Sequence, residues 1–365
     1  MAVITIVGAG MMGSAMSFPA RHNGHEIRLV GTHLDTALIQ HARATGTHLT
    51  LKRALPGGIV YETAGAIEKA LFGADIVLGG VSSFGIQWFG ENVLPLIPEG
   101  VPVLMVTKGL LDLPDGSLKT FPDRLTEQAC QAGRTLSICA IGGPCTSYEL
   151  ADLQHSSVVF CGKDPDALTK LKAALETPYY HISLSGDVRG VECAAALKNA
   201  YALGVTLAVG LTEAQNAKHA GNEKLPLAYN PQAALFTQSV KEMRLFLRLA
   251  GGEASALAYG AGDLFVTVFG GRTRLLGSLL GGGLSITDAL ACLGNLTLES
   301  VAIAERVGRS MREMVRQGKL NWRDFPLMAH VCALLDGGEN IPIPWKAFET
   351  DDKTVVRGQG LEARG

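Results

Sequence analysis

A glycine-rich turn near the amino terminus constrains the fold of this chain more than any other feature. The turn, Gly8 to Gly13, reads GAGMMG; it follows the apolar run Val3–Val7 and precedes a helix-like segment. In a strand–turn–helix unit, the first glycine permits the tight turn and the second, here Gly10, lets a pyrophosphate approach the backbone. The third lets helix and strand pack closely. The pattern predicts a dinucleotide-binding turn, and Pro19 predicts a kink or a shifted start in the following helix.

The first half of the chain alternates short apolar runs with helix-like stretches, a pattern typical of a doubly wound parallel sheet. Two further strand-like runs, 157–161 and 179–183, flank a helix over 166–175 and are expected to extend that sheet. The predicted strands are 3–7, 26–30, 58–61, 75–78, 101–106 and 136–141, and the predicted helices are 12–23, 35–45, 63–71 and 122–132.

From residue 191 the apolar residues recur at spacings of three and four, which predicts a helical second half. The pattern predicts a Rossmann-type domain over 1–189, an all-α domain over 190–345 and a polar tail over 346–365. The predicted helices are 191–209, 231–249, 285–293 and 298–317. Arginines cover one face of the last helix, a pattern that favours a solvated face over a phosphate site.

The balance of charge excludes several classes of function. The 365 residues include 32 Lys and Arg and 34 Asp and Glu, a net charge of −2, which disfavours binding to nucleic acid or to an anionic membrane. The apolar stretch 194–211 is interrupted by Lys198 and Asn199, so it is a poor membrane span. Seven scattered cysteines show no metal-binding spacing and fit reduced thiols in the cytoplasm.

The residues after the second predicted strand bear on the choice of cofactor. The strand ends in Gly31-Thr32-His33, without the carboxylate that would bind the ribose 2′-hydroxyl of NAD. Thr32 and His33 are instead suited to face a 2′-phosphate, so the sequence favours NADP over NAD. Asp35 is close enough to serve NAD, and its plainer interpretation is a helix N-cap.

Two lysines are the candidate chemical groups. Lys108 follows the fifth strand, at the carboxyl edge of the sheet where doubly wound folds bind ligands. Lys198 lies among small and apolar residues on a predicted helix, where burial lowers the pKa of an amine toward the range of a general base. The alternatives are a solvated loop lysine for Lys108 and a snorkelling or paired lysine for Lys198.

Two further segments carry polar groups. Asp263 alone is a candidate helix cap, whereas the turn Gly270-Gly271-Arg272 offers N–H groups and a guanidinium to a phosphate. Cys145 has no neighbour in sequence that would lower its thiol pKa, so a cysteine nucleophile is not expected.

In order, these motifs resemble the NAD(P)-dependent sn-glycerol-3-phosphate dehydrogenase family, especially its archaeal-type members. The resemblance implies a nucleotide-binding Rossmann domain and a helical, 6-phosphogluconate dehydrogenase C-terminal-like domain that closes over a small phosphorylated substrate, commonly in a homodimer. It also implies a place in glycerol-3-phosphate metabolism, with links to phospholipid biosynthesis and carbohydrate metabolism. The matching motifs are Gly8 to Gly13, Thr107 to Leu110, Gly143-Pro144 with Glu149, Ala196 to Asn199, Gly262 to Leu264 with Thr267, and Gly271-Arg272.

The resemblance also implies residue roles. Lys198 matches the lysine that accepts the C2 hydroxyl proton, and Lys108, Asp263 and Thr267 match residues that position that hydroxyl or the lysine. Arg272 matches the arginine that contacts substrate phosphate and cofactor. The remaining implied cofactor contacts are Gly8, Gly10, Met11, Met12, Gly13, Thr32, Lys108, Ser147 and Glu299, and the implied substrate contacts are Lys108, Gly143, Cys145, Lys198, Asp263, Gly271, Arg272 and Thr273. No metal is required by this scheme.

Three departures from the family pattern leave the substrate open. Thr273 replaces a usual asparagine, Cys145 a usual Ser or Thr, and Gln232 a common lysine. A related polyol phosphate therefore stays open as substrate. The 3-hydroxyacid dehydrogenases are a rival, but their Lys-x-x-Asn pattern is missing because Tyr201 stands three residues after Lys198. A catalytically silent NAD(P)-binding sensor would have lost Lys198 or Asp263, and both are present.

Overall fold

The computed structural model describes residues 1–218, 229–294, 298–338 and 341–349. The predicted strands of the first half are confirmed, with ends that shift by no more than two residues. A short hairpin, β6–β7, was not predicted. The strands are β1 Val3–Val7, β2 Glu26–Val30, β3 Ile59–Glu62, β4 Ile76–Gly79, β5 Val103–Met105, β6 Leu110–Asp112, β7 Leu118–Thr120, β8 Ile138–Gly142, β9 Ser156–Cys161 and β10 Tyr180–Ser185.

Eight strands form one sheet in the order β10-β9-β8-β5-β4-β1-β2-β3. All neighbouring pairs are parallel except β8 and β9, so the last two strands extend the predicted sheet but run in the opposite direction. The connection from β8 to β9 carries only a five-residue helix, Ser147–Ala151. That helix is too short to return the chain along the sheet as a parallel crossover does.

The helices lie between the strands of the first half and make up most of the second half. Five of them were not predicted, since they are short or lack a polar face of helical period. These five are the helices over 86–92, 147–151, 256–268, 271–281 and 326–335. The helices are α1 Met11–Ala15, α2 Ser17–His22, α3 Thr36–Thr45, α4 Ile67–Leu71, α5 Ile86–Asn92, α6 Phe121–Gln131, α7 Ser147–Ala151, α8 Pro165–Leu175, α9 Val188–Lys218, α10 Tyr229–Leu249, α11 Ala256–Val268, α12 Gly271–Gly281, α13 Ile286–Cys292, α14 Glu299–Arg316 and α15 Pro326–Leu335. From residue 350 onward the predicted polar tail lies outside the described residues.

The helix is broken close to Pro19, where a kink or a shifted start was predicted. The helix after the glycine turn is interrupted at Met16, and Pro19 is the third residue of α2. Proline has no N–H and its ring crowds the carbonyl four residues earlier, here that of Ala15, so one continuous helix is disfavoured.

Helix α9 is the core of the second half. By length and composition it could cross a membrane. However, 83% of its most apolar 18-residue stretch is buried inside the protein, as in a core helix. It contacts α10, α11, α12, α14 and α15. At the crossing with α12, a Cβ on Gly281 would lie 2.0 Å from the Leu207 carbonyl oxygen, and one on Gly210 would lie 1.9 Å from that of Ser278. Glycine is required at this crossing because the two backbones nearly touch.

The arginines of α14 hold the β6–β7 hairpin, which begins two residues after Lys108. Arg306 donates to the Leu110 carbonyl at 3.2 Å, and Arg309 donates to Asp112 at 2.7 Å. The Arg309 guanidinium lowers the pKa of Asp112. The solvated face expected for α14 is confirmed for Arg309, Arg312 and Arg316, which are exposed, whereas Arg306 is half-buried. Arg306 and Arg309 also anchor the segment that follows Lys108.

Candidate active site

The two candidate lysines meet at one buried carboxylate. The Asp263 side chain is 1% exposed; Lys198 Nζ lies 2.8 Å from its Oδ1, and Lys108 Nζ donates to its Oδ2. Lys108 also donates to the Gly143 carbonyl at 3.0 Å. Residues separated by up to 155 positions in sequence therefore form one ion-pair cluster, in which Asp263 joins the two ammonium groups.

Thr267 completes the environment of Lys198. Lys198 Nζ donates to Thr267 Oγ1 at 2.9 Å, and the Thr267 hydroxyl donates to the Asp263 carbonyl at 2.7 Å. Asp263 and Thr267 are one turn apart on α11, so both face α9. Asp263 is thus an interior helix residue rather than the cap that its sequence alone favoured.

Opposing influences act on the proton of Lys198. Burial and the charge of Lys108 lower its pKa, Asp263 raises it, and the balance lies below the usual value. Burial also opposes ionisation of Asp263, but the two ammonium groups outweigh it and lower the pKa of that carboxyl. The cluster therefore keeps Asp263 ionised while it eases proton loss from Lys198.

The glycine turn is closely packed at its first and third glycines and open at its second. Gly8 has φ +110°, and a Cβ there would lie 2.5 Å from the Gly80 carbonyl carbon. A Cβ on Gly13 would lie 2.2 Å from the Gly8 carbonyl oxygen, whereas one on Gly10 would meet nothing closer than 3.8 Å. Packing within the protein thus requires Gly8 and Gly13, while the space beside Gly10 is open.

An open cavity of about 630 Å³ lies beside this turn. Several residues expected at the cofactor and substrate line it, namely Met11, Gly271, Arg272, Thr273 and Glu299. Ser147, also expected there, is the first residue of α7 and is followed by Tyr148 on the cavity wall. Arg272 does not lie in a flexible turn as expected, because α12 begins at Gly271 and places the guanidinium in its first turn.

Two family models match in sequence and together cover most of the chain. The NAD-dependent glycerol-3-phosphate dehydrogenase N-terminus matches residues 3–168, and the C-terminus of the same family matches residues 187–343. The chain belongs to this family. It is accordingly an NAD(P)-dependent oxidoreductase, as the motifs indicated.

Individual relatives agree with the family assignment. The NADP(+)-dependent glycerol-3-phosphate dehydrogenase of Archaeoglobus fulgidus is 32% identical over 87% of this chain and 92% of the relative. Among solved structures, the glycerol-3-phosphate dehydrogenase of Coxiella burnetii has a TM-score of 0.75 at 21% identity, covering 97% of this chain and 98% of the other. The enzyme from Saccharomyces cerevisiae has a TM-score of 0.74 at 18% identity, covering 95% and 98%. These two structures establish the shared fold.

In this member of the glycerol-3-phosphate dehydrogenase family, the residues after β2 are fixed by Asp35. Its Oδ2 accepts from the Thr32 N–H at 2.8 Å, from the Thr32 hydroxyl at 2.9 Å and from the Ala9 N–H at 3.1 Å. Asp35 stands at the start of α3, but its side chain makes no N-cap hydrogen bond. The carboxylate instead joins the end of β2 to the glycine turn. The ring of His33 lies 5.5 Å from that of Trp88.

Glu299 connects the two halves of the protein. Its Oε1 accepts from the Ser83 N–H at 3.1 Å, whereas its Oε2 is buried with no hydrogen-bond partner among the described residues. Ser83 lies in the loop that follows β4, so the start of α14 reaches the carboxyl edge of the sheet. No sequence motif indicated this contact, because its partners are 216 residues apart.

Two further titratable groups lie around the lysine cluster. Burial raises the pKa of the Cys145 thiol to about 11, which agrees with the expectation that it is not a nucleophile. Glu192 is completely buried on α9, and neither carboxyl oxygen has a hydrogen-bond partner in the part of the chain that the structure describes. Burial raises its pKa to about 8, although the charge of Lys108 lowers it. Sequence reasoning did not single out Glu192.

Proposed function

We propose that this protein interconverts sn-glycerol 3-phosphate and dihydroxyacetone phosphate with NADP or NAD, and that Lys198 is the general base. The observation that carries the proposal is the contact of Lys198 with Asp263 and Thr267 at the junction of the two halves. A lysine held in this way has a fixed position and a lowered pKa, which are the two properties a base needs.

In the oxidative direction, neutral Lys198 takes the proton of the substrate C2 hydroxyl as the carbon–oxygen double bond forms. A bound nicotinamide cofactor would supply the acceptor for the hydride that leaves C2. In the reductive direction, the Lys198 ammonium returns a proton to the oxygen as negative charge develops on it. Proton and hydride leave the same alcohol, so the reaction balances without a metal.

The neighbours of Lys198 have positioning roles in this proposal. Asp263 and Thr267 direct the amine, and Lys108, held by Asp263 and the Gly143 carbonyl, presents a second positive charge to the substrate oxygen. The two ammonium groups repel each other, which favours the neutral form of one of them.

We propose that the cavity beside the glycine turn receives the substrate phosphate and the cofactor. Arg272 supplies the guanidinium for the phosphate, with Gly271 and Thr273 beside it. Gly8, Gly10 and Gly13 shape the pyrophosphate site, while the remaining cofactor contacts are Met11, Met12, Thr32, Lys108, Ser147 and Glu299. NADP is favoured because β2 ends without a carboxylate, and the Archaeoglobus relative is named as NADP(+)-dependent.

A related polyol phosphate is the second candidate substrate. Cys145, Thr273 and Gln232 differ from the family pattern, and the Gln232 amide nitrogen is buried without a hydrogen-bond partner among the described residues. A polar group in that state is suited to a ligand hydroxyl.

A direct assay tests the proposed reaction. Purified protein is mixed with NADPH or NADH and dihydroxyacetone phosphate, and the loss of absorbance of the reduced nicotinamide is followed. A panel of carbonyl phosphates of three to five carbons ranks the substrates. Nucleotide binding without turnover on any member of the panel would contradict the proposed reaction and favour a binding protein.

We also propose that the protein is a cytoplasmic homodimer with a nucleotide-binding domain over 1–189 and a substrate domain over 190–345. The change from sheet to helix at Val188, where α9 begins, supports the division. All seven cysteines are free thiols, in keeping with a reducing compartment. Sedimentation equilibrium at micromolar concentration gives the number of subunits.

A further inference from the structure

Two side chains hold the successive peptide groups on either side of Ala9, between the first two glycines of the turn. The Ala9 N–H donates to Asp35 Oδ2 at 3.1 Å, and the Ala9 carbonyl accepts from His48 Nε2 at 2.8 Å. Ser14 Oγ makes a longer contact of 3.3 Å with the same carbonyl. His48 is 2% exposed, and it comes from the loop between α3 and β3, 39 residues away in sequence.

The hydrogen bonds of His48 determine its tautomer. The Leu51 N–H donates to His48 Nδ1 at 2.9 Å, so Nδ1 is an acceptor and carries no proton. The ring proton therefore resides on Nε2, which donates it to the Ala9 carbonyl. The imidazole is neutral in this arrangement and uses both nitrogens.

The loop that carries His48 also has hydrogen bonds of its own. The His48 N–H donates to the Arg53 carbonyl at 2.9 Å, the Lys52 N–H donates to the His48 carbonyl at 2.8 Å, and the Leu55 N–H donates to the Gly46 carbonyl at 2.8 Å. Leu51 is completely buried. Because the loop is fixed in this way, the position of the His48 ring is set before any ligand arrives.

We infer that His48, together with Asp35, is a positioning residue that fixes the glycine turn for the nucleotide pyrophosphate. The inference rests on the proposed nucleotide binding by this turn. Peptides that adjoin Gly8 and Gly10 have wide rotational freedom, and hydrogen bonds to both of them remove that freedom before binding. Among the described residues the His48 ring bonds only Ala9, Thr50 and Leu51 and not the lysine cluster, so its effect is expected on nucleotide affinity.

Two substitutions separate the bond to Ala9 from the bond within the loop. In His48→Gln the side-chain amide N–H extends about as far as Nε2 and can still donate to the Ala9 carbonyl. In His48→Asn the shorter side chain places a polar group only near the position of Nδ1, so the hydrogen bond to Ala9 is lost. His41→Asn is the matched control, because His41 bonds Thr47 of the same loop at 2.9 Å and does not touch the glycine turn.

The readout is the Kd for NADPH by isothermal titration, with kcat at saturating nucleotide as a second measurement. We expect His48→Asn to raise the Kd about tenfold, the effect of one lost buried hydrogen bond, with kcat unchanged within about threefold. His48→Gln and the control are expected to stay within about threefold of the unsubstituted protein. Thermal unfolding without nucleotide shows whether each variant is folded.

Equal NADPH affinity of His48→Asn and the unsubstituted protein would overturn the inference and leave the proposed function intact. Failure of the unsubstituted protein to bind NADPH or NADH would instead remove the proposed function. If His48→Asn does not fold, the NADPH affinities of His48→Gln and Asp35→Asn test the inference instead. A raised Kd for NADPH in Asp35→Asn, together with an unchanged Kd in His48→Gln, supports the inference. An unchanged Kd in Asp35→Asn contradicts it.

Discussion

Lys198 and Asp263 form a close ion pair, with 2.8 Å between Nζ and Oδ1, across the contact between α9 and α11. Asp263 is buried, and it also accepts from Lys108. One carboxylate therefore determines the position and the protonation of both lysines, which makes this pair the centre of the proposed chemistry.

Removal of the Lys198 amine tests its role as the base. We expect Lys198→Ala to lower kcat by roughly two to four orders of magnitude, the usual contribution of a positioned proton-transfer group. NADPH still binds with little change, because the proposed nucleotide contacts are made by other residues. Lys218→Ala, at the exposed end of the same helix, is the control for loss of a lysine. Undiminished turnover in Lys198→Ala would refute the assignment.

Asp263→Asn tests the electrostatic link to Lys198. The Asp263 carboxylate raises the pKa of Lys198, so its neutralisation lowers that pKa further. In the oxidative direction the base must be neutral, and the rate rises with pH through its pKa. We therefore expect the rising limb of kcat/KM to move to lower pH, by roughly one unit or more. A limb that stays in place or moves to higher pH would contradict this link.

Arg272→Ala tests the proposed phosphate contact. Loss of a charged hydrogen-bond donor is expected to raise the KM for dihydroxyacetone phosphate roughly tenfold to a hundredfold. Arg272→Lys keeps the charge without the planar guanidinium. Its KM is expected to lie between those of the unsubstituted protein and Arg272→Ala. Arg244→Ala, on the exposed side of α10, controls for the change of net charge. Unchanged saturation by substrate would remove Arg272 from the phosphate site.

Glu192 makes the stability of the protein depend on pH. Its pKa is raised to about 8 in the folded protein, so the folded state holds a proton that the unfolded chain releases above its ordinary value of 4.5. This contribution is fully present below that ordinary value and is lost as the pH rises through about 8. Between about pH 5 and pH 8 this group lowers the free energy of unfolding by about 1.4 kcal/mol per pH unit. We expect Glu192→Gln to remove that part of the pH dependence.

Urea unfolding at several pH values gives these free energies. The control is Glu213→Gln, an exposed glutamate on the same helix. A pH dependence that is identical in Glu192→Gln and the unsubstituted protein would show that Glu192 is not protonated in the folded state.

The sequence by itself determined the strands of the large sheet in the first half of the chain. Each strand with a short apolar run and a following turn was predicted, because burial in a central sheet selects β-branched and apolar residues in a recognisable pattern. The glycine turn and Pro19 were likewise informative, since the backbone effects of glycine and proline are local. The order of motifs along the chain is sufficient to indicate the family.

The tertiary structure decided what depends on distant residues. The reversed direction of β9 and β10 follows from a short connection, and the crossing of α9 with α12 follows from glycines whose partners lie far along the chain. The contacts of Asp263 with both lysines, and of His48 with Ala9, leave no local signal, because a hydrogen bond constrains two positions in space and not their separation in sequence. Composition and spacing reflect the conformation that each segment favours by itself. The site forms only where segments distant in sequence come into contact.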